Sequence, residues 1–484
     1  MNLAHLPDGL CKTSIVFTSE AKVSLSNSAN SLSARDRASL LHPMTDLVRH
    51  DQEGPLTIVH GDGVRVRDDE GRSYIEAVSG LWSVSLGFGQ KRLAEAAYKQ
   101  LLELPSYHLF RHMSHPRAIE LAERLLSLAP VPMSKVFFAS SGSEANDTAV
   151  KLVWYYNNAL DRPQKKKIIA RTGAYHGTTV VSASMTGLAR NHSDFDLPLP
   201  GFLHTDCPSH YRYGMPGESE ADFADRLAAN LEALIQRERP ETIAAFIAEP
   251  VMGVGGIILP PDGYFKRISE ILKRHDILLI ADEVITGFGR LGRMFGSEVY
   301  GLTPDILTCA KGLSSGYLPI SAVMISKQIW DVCLRQSGKI GVFGHGFTYS
   351  GHPVSAAVAL EVLKLYDELD ILGNVETNAP ALQNGLRRLA AHPLVGDARG
   401  AGFMGGLELV KDKASKRPFD PAAAIGLFAE RRCLSNGVIV RSLGDTVAIA
   451  PPLIAGATDI EAILAAVAQS LDETYAHAIR MGLN

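Results

Sequence analysis

The chain has 484 residues, of which 46% are hydrophobic and 21% charged, and 48 basic against 52 acidic side chains leave a formal net charge of −4. That length accommodates one large domain and a smaller one. The charge gives no basic footprint for nucleic acid, and no apolar run reaches the roughly 18 residues of a membrane-spanning helix.

Residues 1–30 are rich in Ser and Asn without a period, and are expected to be a loose extension lacking the apolar core of a secretory signal. Structure is expected from about Ser31. Val64–Arg67 and Tyr74–Glu76 flank Asp68-Asp69-Glu70-Gly71, the pattern of a β-hairpin. Trp82, two residues after Gly80, reads either as a core aromatic or as the wall of a pocket. His108, His112 and His115 have the spacing of metal ligands on a helix. Pro105 and Pro116 bracket them and no carboxylate stands at ligand spacing, so no metal is assigned.

An amphipathic helix is expected over residues 117–128, and a strand over Lys135–Phe138. The strand leads through Ser140-Ser141-Gly142-Ser143 into a helix that runs to Tyr156. Strand, Ser/Gly turn and helix make an anion seat, because free N–H groups and the helix dipole both favour a phosphate. Plain capping by Ser143 explains the same residues. The lysine of a GxxxxGK loop is missing, which argues against a nucleoside triphosphate. Ile168–Ala170, a further strand, ends at Gly173-Ala174-Tyr175-His176-Gly177, where the aromatic could stack on a planar ligand or lie in a surface loop. Residues 183–220 read as a long irregular stretch, more often functional than idle.

A helix over Ala221–Arg239 precedes a buried strand, Ile243–Ala248, that ends at Glu249-Pro250. Tyr264–His275 has a clean helical apolar face. Two apolar runs follow, Ile277–Ala281 and Ile306–Ala310, and run directly into Asp282 and Lys311. Ligands of an open α/β sheet sit beyond the carboxyl ends of its strands, so a carboxylate and an amine share one rim. A buried lysine is expensive unless it is paired, neutral or used covalently. Lys311 is therefore a candidate Schiff-base lysine, and Asp282 a partner for a cationic group on a cofactor. Gly287–Gly292 matches GxGxxG, but Gly296, Gly301 and Pro304 break the helix that a dinucleotide site needs. Next come a strand over Ile320–Ser326, a Gly-rich aromatic loop over 341–353, and a helix over Val354–Glu368. From about 370, helices alternate with short strands at Gly405–Val410, Val438–Arg441 and Thr446–Ala450. There Arg441, ending its strand, could clamp a substrate carboxylate bidentately or form a surface ion pair.

Strand–helix alternation predicts an α/β fold: a large domain with a mostly parallel, helix-flanked sheet, plus a smaller α+β domain. The boundaries expected are an extension at 1–30, an N-terminal segment at 31–85, the large domain at 86–353 and the small domain at 354–484. A phosphate seat, a stacking aromatic, an acid at one strand end and a lysine at another are together the parts of a pyridoxal 5'-phosphate (PLP) site.

In SSGSEAND (140–147), YHG (175–177), AEP (248–250), ADEV…GFGR (281–290), AKGLSSGYLP (310–319) and GFTYSGHP (346–353), the chain resembles the class III aminotransferases of the PLP-dependent type I fold. The likeness runs from about Ser31 to the C-terminus. It implies that Lys311 holds PLP as a Schiff base and then moves the substrate proton, while Asp282 pairs with the pyridine nitrogen. It also implies Val284 and Tyr175 on the two ring faces, and Ser141, Gly142 and Ser143 at the phosphate. Glu249 would support the cofactor, and Thr348 would reach the phosphate of a neighbouring subunit's cofactor in a homodimer, with tetramers left open.

GLWSVSLGFG (80–89), LPLPGFLH (197–204) and AAFIAEPVMGVGG (244–256) are similar to the amine:pyruvate, or ω-transaminase, branch. In that branch Trp82 and Tyr175 would line the substrate pocket, and Arg441 would swing in for a carboxylate and out for an apolar amine. Ile285 replaces the glutamine of the DEVQ pattern in 2-oxoglutarate-using members, which favours pyruvate as acceptor. Phe110 and Arg111 fall where that branch has two pocket aromatics, so Arg111 would favour an amine with a remote acidic group. The expected function is transfer of an amino group from an amine or ω-amino acid to pyruvate or a similar small oxo acid by ping-pong kinetics. The alternatives are 7,8-diaminopelargonate synthesis and a 2-oxoglutarate-dependent 4-aminobutyrate- or ornithine-type reaction. Five scattered cysteines without a CxxC pair suggest a reducing compartment, and a cytoplasmic location is expected.

Overall fold

The structure, a computed structural model, describes residues 30–483. Apart from Asn30, the extension expected at 1–30 lies outside the described residues. Of the described residues, those up to Ile58 form one compact unit and those from Val59 onward another. In the first unit, Ser31 and Asp46 cap helices Leu32–Ser39 and Leu47–Glu53 by accepting from the N–H groups of Ala34 and Arg49. Between the helices, Asp36 Oδ1 lies 2.9 Å from His42 Nε2 and 3.1 Å from His50 Nε2.

The second unit is built on a seven-stranded sheet. Its strands, in spatial order, are Lys135–Ala139, Ser321–Ile325, Ile306–Cys309, Leu278–Asp282, Ile243–Ala248, Lys167–Arg171 and Phe202–Thr205. Only Ser321–Ile325 runs against its neighbours, and the other pairings are parallel. The remaining strands therefore deliver their carboxyl ends to one rim, as the sequence predicts.

Their composition explains this arrangement. Ile243–Ala248 is apolar throughout and buried at every position, as a parallel strand covered on both faces must be. Successive side chains point to opposite faces. Ile168, Ala245, Ile247 and Ile280 pack beneath the Gly142–Ala159 helix with Val150 and Val153. Ile169, Phe246, Leu279 and Ala281 pack on the other face against Phe223, Leu227, Tyr264 and Ile268 of helices Glu220–Glu238 and Tyr264–Arg274. Each of the Ile, Leu, Val and Phe side chains contributes about 1.5–3 kcal/mol by leaving water. Truncating Phe246 to Ala would cost about 3–5 kcal/mol.

Two smaller sheets complete this unit. Arg65–Asp68 and Ser73–Glu76 form the expected hairpin, and Val438–Ile439 runs parallel to its second strand. Val395–Ala401, Met404–Leu409, Thr446–Ile449 and Arg441–Leu443 form an antiparallel sheet.

Two sequence expectations are corrected here. Val438–Arg441 is not one strand: the chain leaves the first small sheet after Ile439 and joins the second at Arg441, so Arg441 begins a strand instead of ending one. A single run of apolar residues carries no mark of a change of sheet. Residues 183–220 are also less irregular than expected. They contain the edge strand Phe202–Thr205 and follow the start of a short helix, Val180–Met185. Phe-Leu-His-Thr is too short and mixed to show a period.

Candidate active site

Asp282 is the last residue of its strand and is buried. Its Oδ2 accepts from His176 Nδ1 and from Asn146 Nδ2, each at 2.8 Å, and its Oδ1 accepts from the Val284 N–H at 3.1 Å. Asn146 is itself fixed: its Nδ2 also donates to the His176 carbonyl at 2.7 Å, and its Oδ1 accepts from Thr308 Oγ1 at 2.8 Å. A carboxylate offers about four lone-pair sites. Three donors fill most of them and leave one acceptor direction for a ring N–H. His176 Nε2 is buried and has no hydrogen-bond partner among the described residues.

Gly142–Ala159 starts where the Lys135–Ala139 strand ends. Its N-cap is Ser141, whose Oγ accepts from the Glu144 N–H at 3.2 Å. Ser143 is not the cap: its hydroxyl accepts from the Thr178 N–H at 3.0 Å. As first-turn groups, the N–H groups of Gly142 and Ser143 have no acceptor within the helix and are available to an anion. Gly177, at φ +136°, brings the YHG turn so close that a Cβ there would lie 2.5 Å from Ser143 Oγ. The turn, its capping serine and the Ser143 hydroxyl form a seat of free N–H groups that, with Asp282 and Lys311, fits PLP.

Lys311 opens a short turn, Lys311–Ser314, at φ +44°. Its side chain is only partly open to solvent. Burial holds the ammonium down to about 8, against the upward pull of Asp282 and Glu249 and with a further lowering from Arg441. About a tenth of the amine is therefore neutral at pH 7, far more than for an ordinary lysine, and the neutral amine is the form that attacks an aldehyde or accepts a proton.

Glu249 is buried at the end of Ile243–Ala248, and burial raises its carboxyl. It supports the site through backbone, accepting from the N–H groups of Tyr175 at 3.1 Å and Gly253 at 3.0 Å. Val284 flanks Gly142 at the turn. Tyr175 packs against an apolar cluster that includes Trp82, Val251, Ile285 and Leu443. The Arg441 guanidinium stands 5.4 Å from the centre of the Trp82 ring. Burial lowers its pKa, against the pull of Glu430.

The expected residues thus converge, with two exceptions. Thr348 and Arg111 are both exposed, and neither contacts this group among the described residues. His115 is occupied as a helix cap: its Nδ1 accepts from the Ala118 N–H and its Nε2 lies 2.7 Å from the Gly351 carbonyl. Sequence reasoning passed over His176, Asn146 and Thr308. Asn146 lies one helical turn beyond Ser143, and that spacing could have placed it on the rim face.

A model of the class-III aminotransferase family matches residues 48–471. Among curated proteins, gamma aminobutyrate transaminase 3, chloroplastic, from Solanum lycopersicum is 52% identical over 421 residues, spanning 87% of this chain and 81% of its own. Gamma aminobutyrate transaminase 1, mitochondrial, from the same plant is 49% identical over 436 residues, spanning 90% and 85%. Among solved structures, the omega transaminase of Pseudomonas jessenii in complex with PMP superposes with a TM-score of 0.91 at 52% identity, covering 92% of this chain and 98% of that one. The chain belongs to the class-III aminotransferases, and its cofactor is PLP. The expected cytoplasmic location is overturned, because these curated relatives are named chloroplastic or mitochondrial. Scattered free cysteines fit any reducing compartment, so they could not point to the cytoplasm in particular.

Proposed function

We propose that this class-III aminotransferase moves the terminal amino group of an ω-amino acid of the 4-aminobutyrate type to pyruvate, with apolar primary amines as further donors. PLP, when bound, supplies the electron-poor ring that stabilises negative charge on the substrate carbon. Asp282, held by His176 and Asn146, would accept the ring N–H and keep it protonated. The neutral Lys311 amine would be the base that takes the proton from the substrate carbon bearing the amino group. The Gly142 and Ser143 N–H groups anchor the phosphate. Tyr175 and Val284 clamp the ring, and Glu249 fixes the Tyr175 backbone.

The observation that carries the substrate reading is the wall formed by Arg441 over Trp82. A guanidinium facing an aromatic serves a carboxylate when it points inward and uncovers an apolar face when it swings away. The names of the similar proteins support both halves: gamma aminobutyrate transaminases carry a carboxylate-bearing donor, and omega transaminases take amines. Ile285, buried where DEVQ members have a polar side chain, supports pyruvate over 2-oxoglutarate. The working unit is a homodimer in which Thr348 reaches the neighbouring subunit's phosphate. The exposed Val342 and Tyr349 on the same segment support this.

The test is a matrix of donors (4-aminobutyrate, β-alanine, ornithine, 1-phenylethylamine) against acceptors (pyruvate, 2-oxoglutarate). The expected outcome is alanine from 4-aminobutyrate and from the aromatic amine with pyruvate. Glutamate from 2-oxoglutarate as the dominant product would defeat the acceptor assignment.

A further inference from the structure

Trp82 belongs to a segment with an unusual backbone. Ser79 has φ +52°, Gly80 +65° and Trp82 +56°, a left-handed region costly for residues with a Cβ. Such a backbone persists only where its surroundings over-determine it. Here the holder is a buried carboxylate at the end of the Ser73–Glu76 strand. Glu76 Oε1 accepts from the Val78 N–H at 3.2 Å, and its Oε2 accepts from the Gly80 N–H. Ser79 between them is tied from the other side: its hydroxyl donates to the Ala450 carbonyl at 2.7 Å and accepts from Arg290 Nη2 at 3.1 Å. Arg290 is buried, with Nη1 donating to the Pro451 carbonyl at 2.5 Å.

A buried carboxylate is expensive even when bonded. Burial pushes Glu76 up to about 7 despite its two N–H donors and the charge of Arg290. The Trp82 indole N–H is buried without a hydrogen-bond partner among the described residues, so no hydrogen bond from the indole to any of them holds the ring in place. The topology adds a link. Glu76 pairs with Ile439 across two parallel strands, and Arg441 follows Ile439 by two residues. Both members of the Trp82–Arg441 wall therefore hang from one pair of strand ends.

We propose that Glu76 is a positioning residue for donor selection: its carboxylate holds the left-handed Val78–Trp82 turn and so sets where the Trp82 ring stands in the amine pocket. It touches neither cofactor nor substrate, and acts through the backbone of Val78 and Gly80. The inference rests on Trp82 lining the pocket, as proposed above.

The experiment uses PLP-loaded enzyme and compares Glu76→Gln, Glu76→Asp, Gly80→Ala and Trp82→Leu. Two quantities are read. One is the ratio of kcat/KM for 1-phenylethylamine to that for alanine. The other is the emission of Trp82 alone, after Trp154→Phe and Trp330→Phe. Glu76→Gln, in which an amide replaces one of the two acceptors, is expected to shift the ratio about tenfold, the size of one lost charged hydrogen bond. Trp82 emission should move to the red while the visible cofactor band is kept. Glu76→Asp should recover part of both changes. Gly80→Ala, a side chain forced into the left-handed region, should reproduce both.

An unchanged ratio and emission in folded Glu76→Gln, with the ratio shifted in Trp82→Leu, overturns the role of Glu76 and leaves the pocket standing. If Glu76→Gln does not fold, the same null result in Gly80→Ala overturns it. A ratio unmoved by Trp82→Leu defeats the pocket assignment and this inference with it.

Discussion

Asp282 and Trp82 belong to the same site and are held in contrasting ways. Asp282 ends a strand in the middle of the sheet, and His176, Asn146 and the Val284 N–H surround its carboxylate. Asn146 is pinned in turn by Thr308 on the adjacent strand. Trp82 stands on a left-handed turn beyond a short hairpin, with an indole N–H unpartnered among the described residues and a guanidinium against its ring. The first arrangement has one solution, because a buried polar network is costly if any member is left unsatisfied. The second can be re-set by moving a few backbone groups. In the function proposed above, the cofactor chemistry is built into the sheet and the choice of amine falls to turns at its margin.

Substitutions can break this contrast in order of severity. Lys311→Ala removes both the covalent anchor and the proton carrier. Turnover should fall by at least about 10⁴-fold, while PLP still binds noncovalently, as equilibrium dialysis would show. Asp282→Asn keeps the shape but loses the charge that holds the ring nitrogen protonated. A loss of about 10²–10³-fold in single-turnover rate is expected, and it should be equal for every donor.

Arg441→Leu should raise KM for 4-aminobutyrate and pyruvate by about 10–100-fold, the worth of a charge-assisted bond. It should spare 1-phenylethylamine, and equal losses for both donors would erase the distinction between the floor around Asp282 and the Trp82–Arg441 wall. Asn146→Ala removes one of the two side-chain donors to Asp282 Oδ2 and should cost about tenfold for all donors alike.

The smallest effect is in pH. Burial depresses the Lys311 amine to about 8. Below that value the amine is protonated and cannot attack, and above it the amine is neutral. Recombination of the apoprotein with PLP should therefore accelerate as pH rises and level off past about 8. A midpoint near 10 would show an amine in an ordinary aqueous environment.

The floor was legible in the sequence for a physical reason. Continuous apolar runs ending in Asp282, Glu249 and Lys311 state both the strand and the rim, because a buried parallel strand must end where charge begins. The Ser/Gly turn at 140–143 was equally readable, although the capping role belongs to Ser141 and not Ser143. The wall was readable only as residue types. Nothing in Val438–Arg441 marks the change of sheet that puts Arg441 over Trp82, and nothing in Glu76-Ala77-Val78-Ser79-Gly80 states that the carboxylate turns back on its own loop. His176 and Asn146 were hidden because their roles depend on meeting Asp282 across more than a hundred residues of chain. Such contacts are set by topology and leave no local pattern.

The central claim, transfer of the amino group of an ω-amino acid to pyruvate on this rim, is tested most directly by following the visible absorbance of the PLP-loaded enzyme through two separate half-reactions. Adding 4-aminobutyrate alone should bleach the cofactor band. After the donor is removed, pyruvate should restore the band and release one alanine per site. A band that 4-aminobutyrate leaves intact, or that 2-oxoglutarate but not pyruvate restores, would contradict the account.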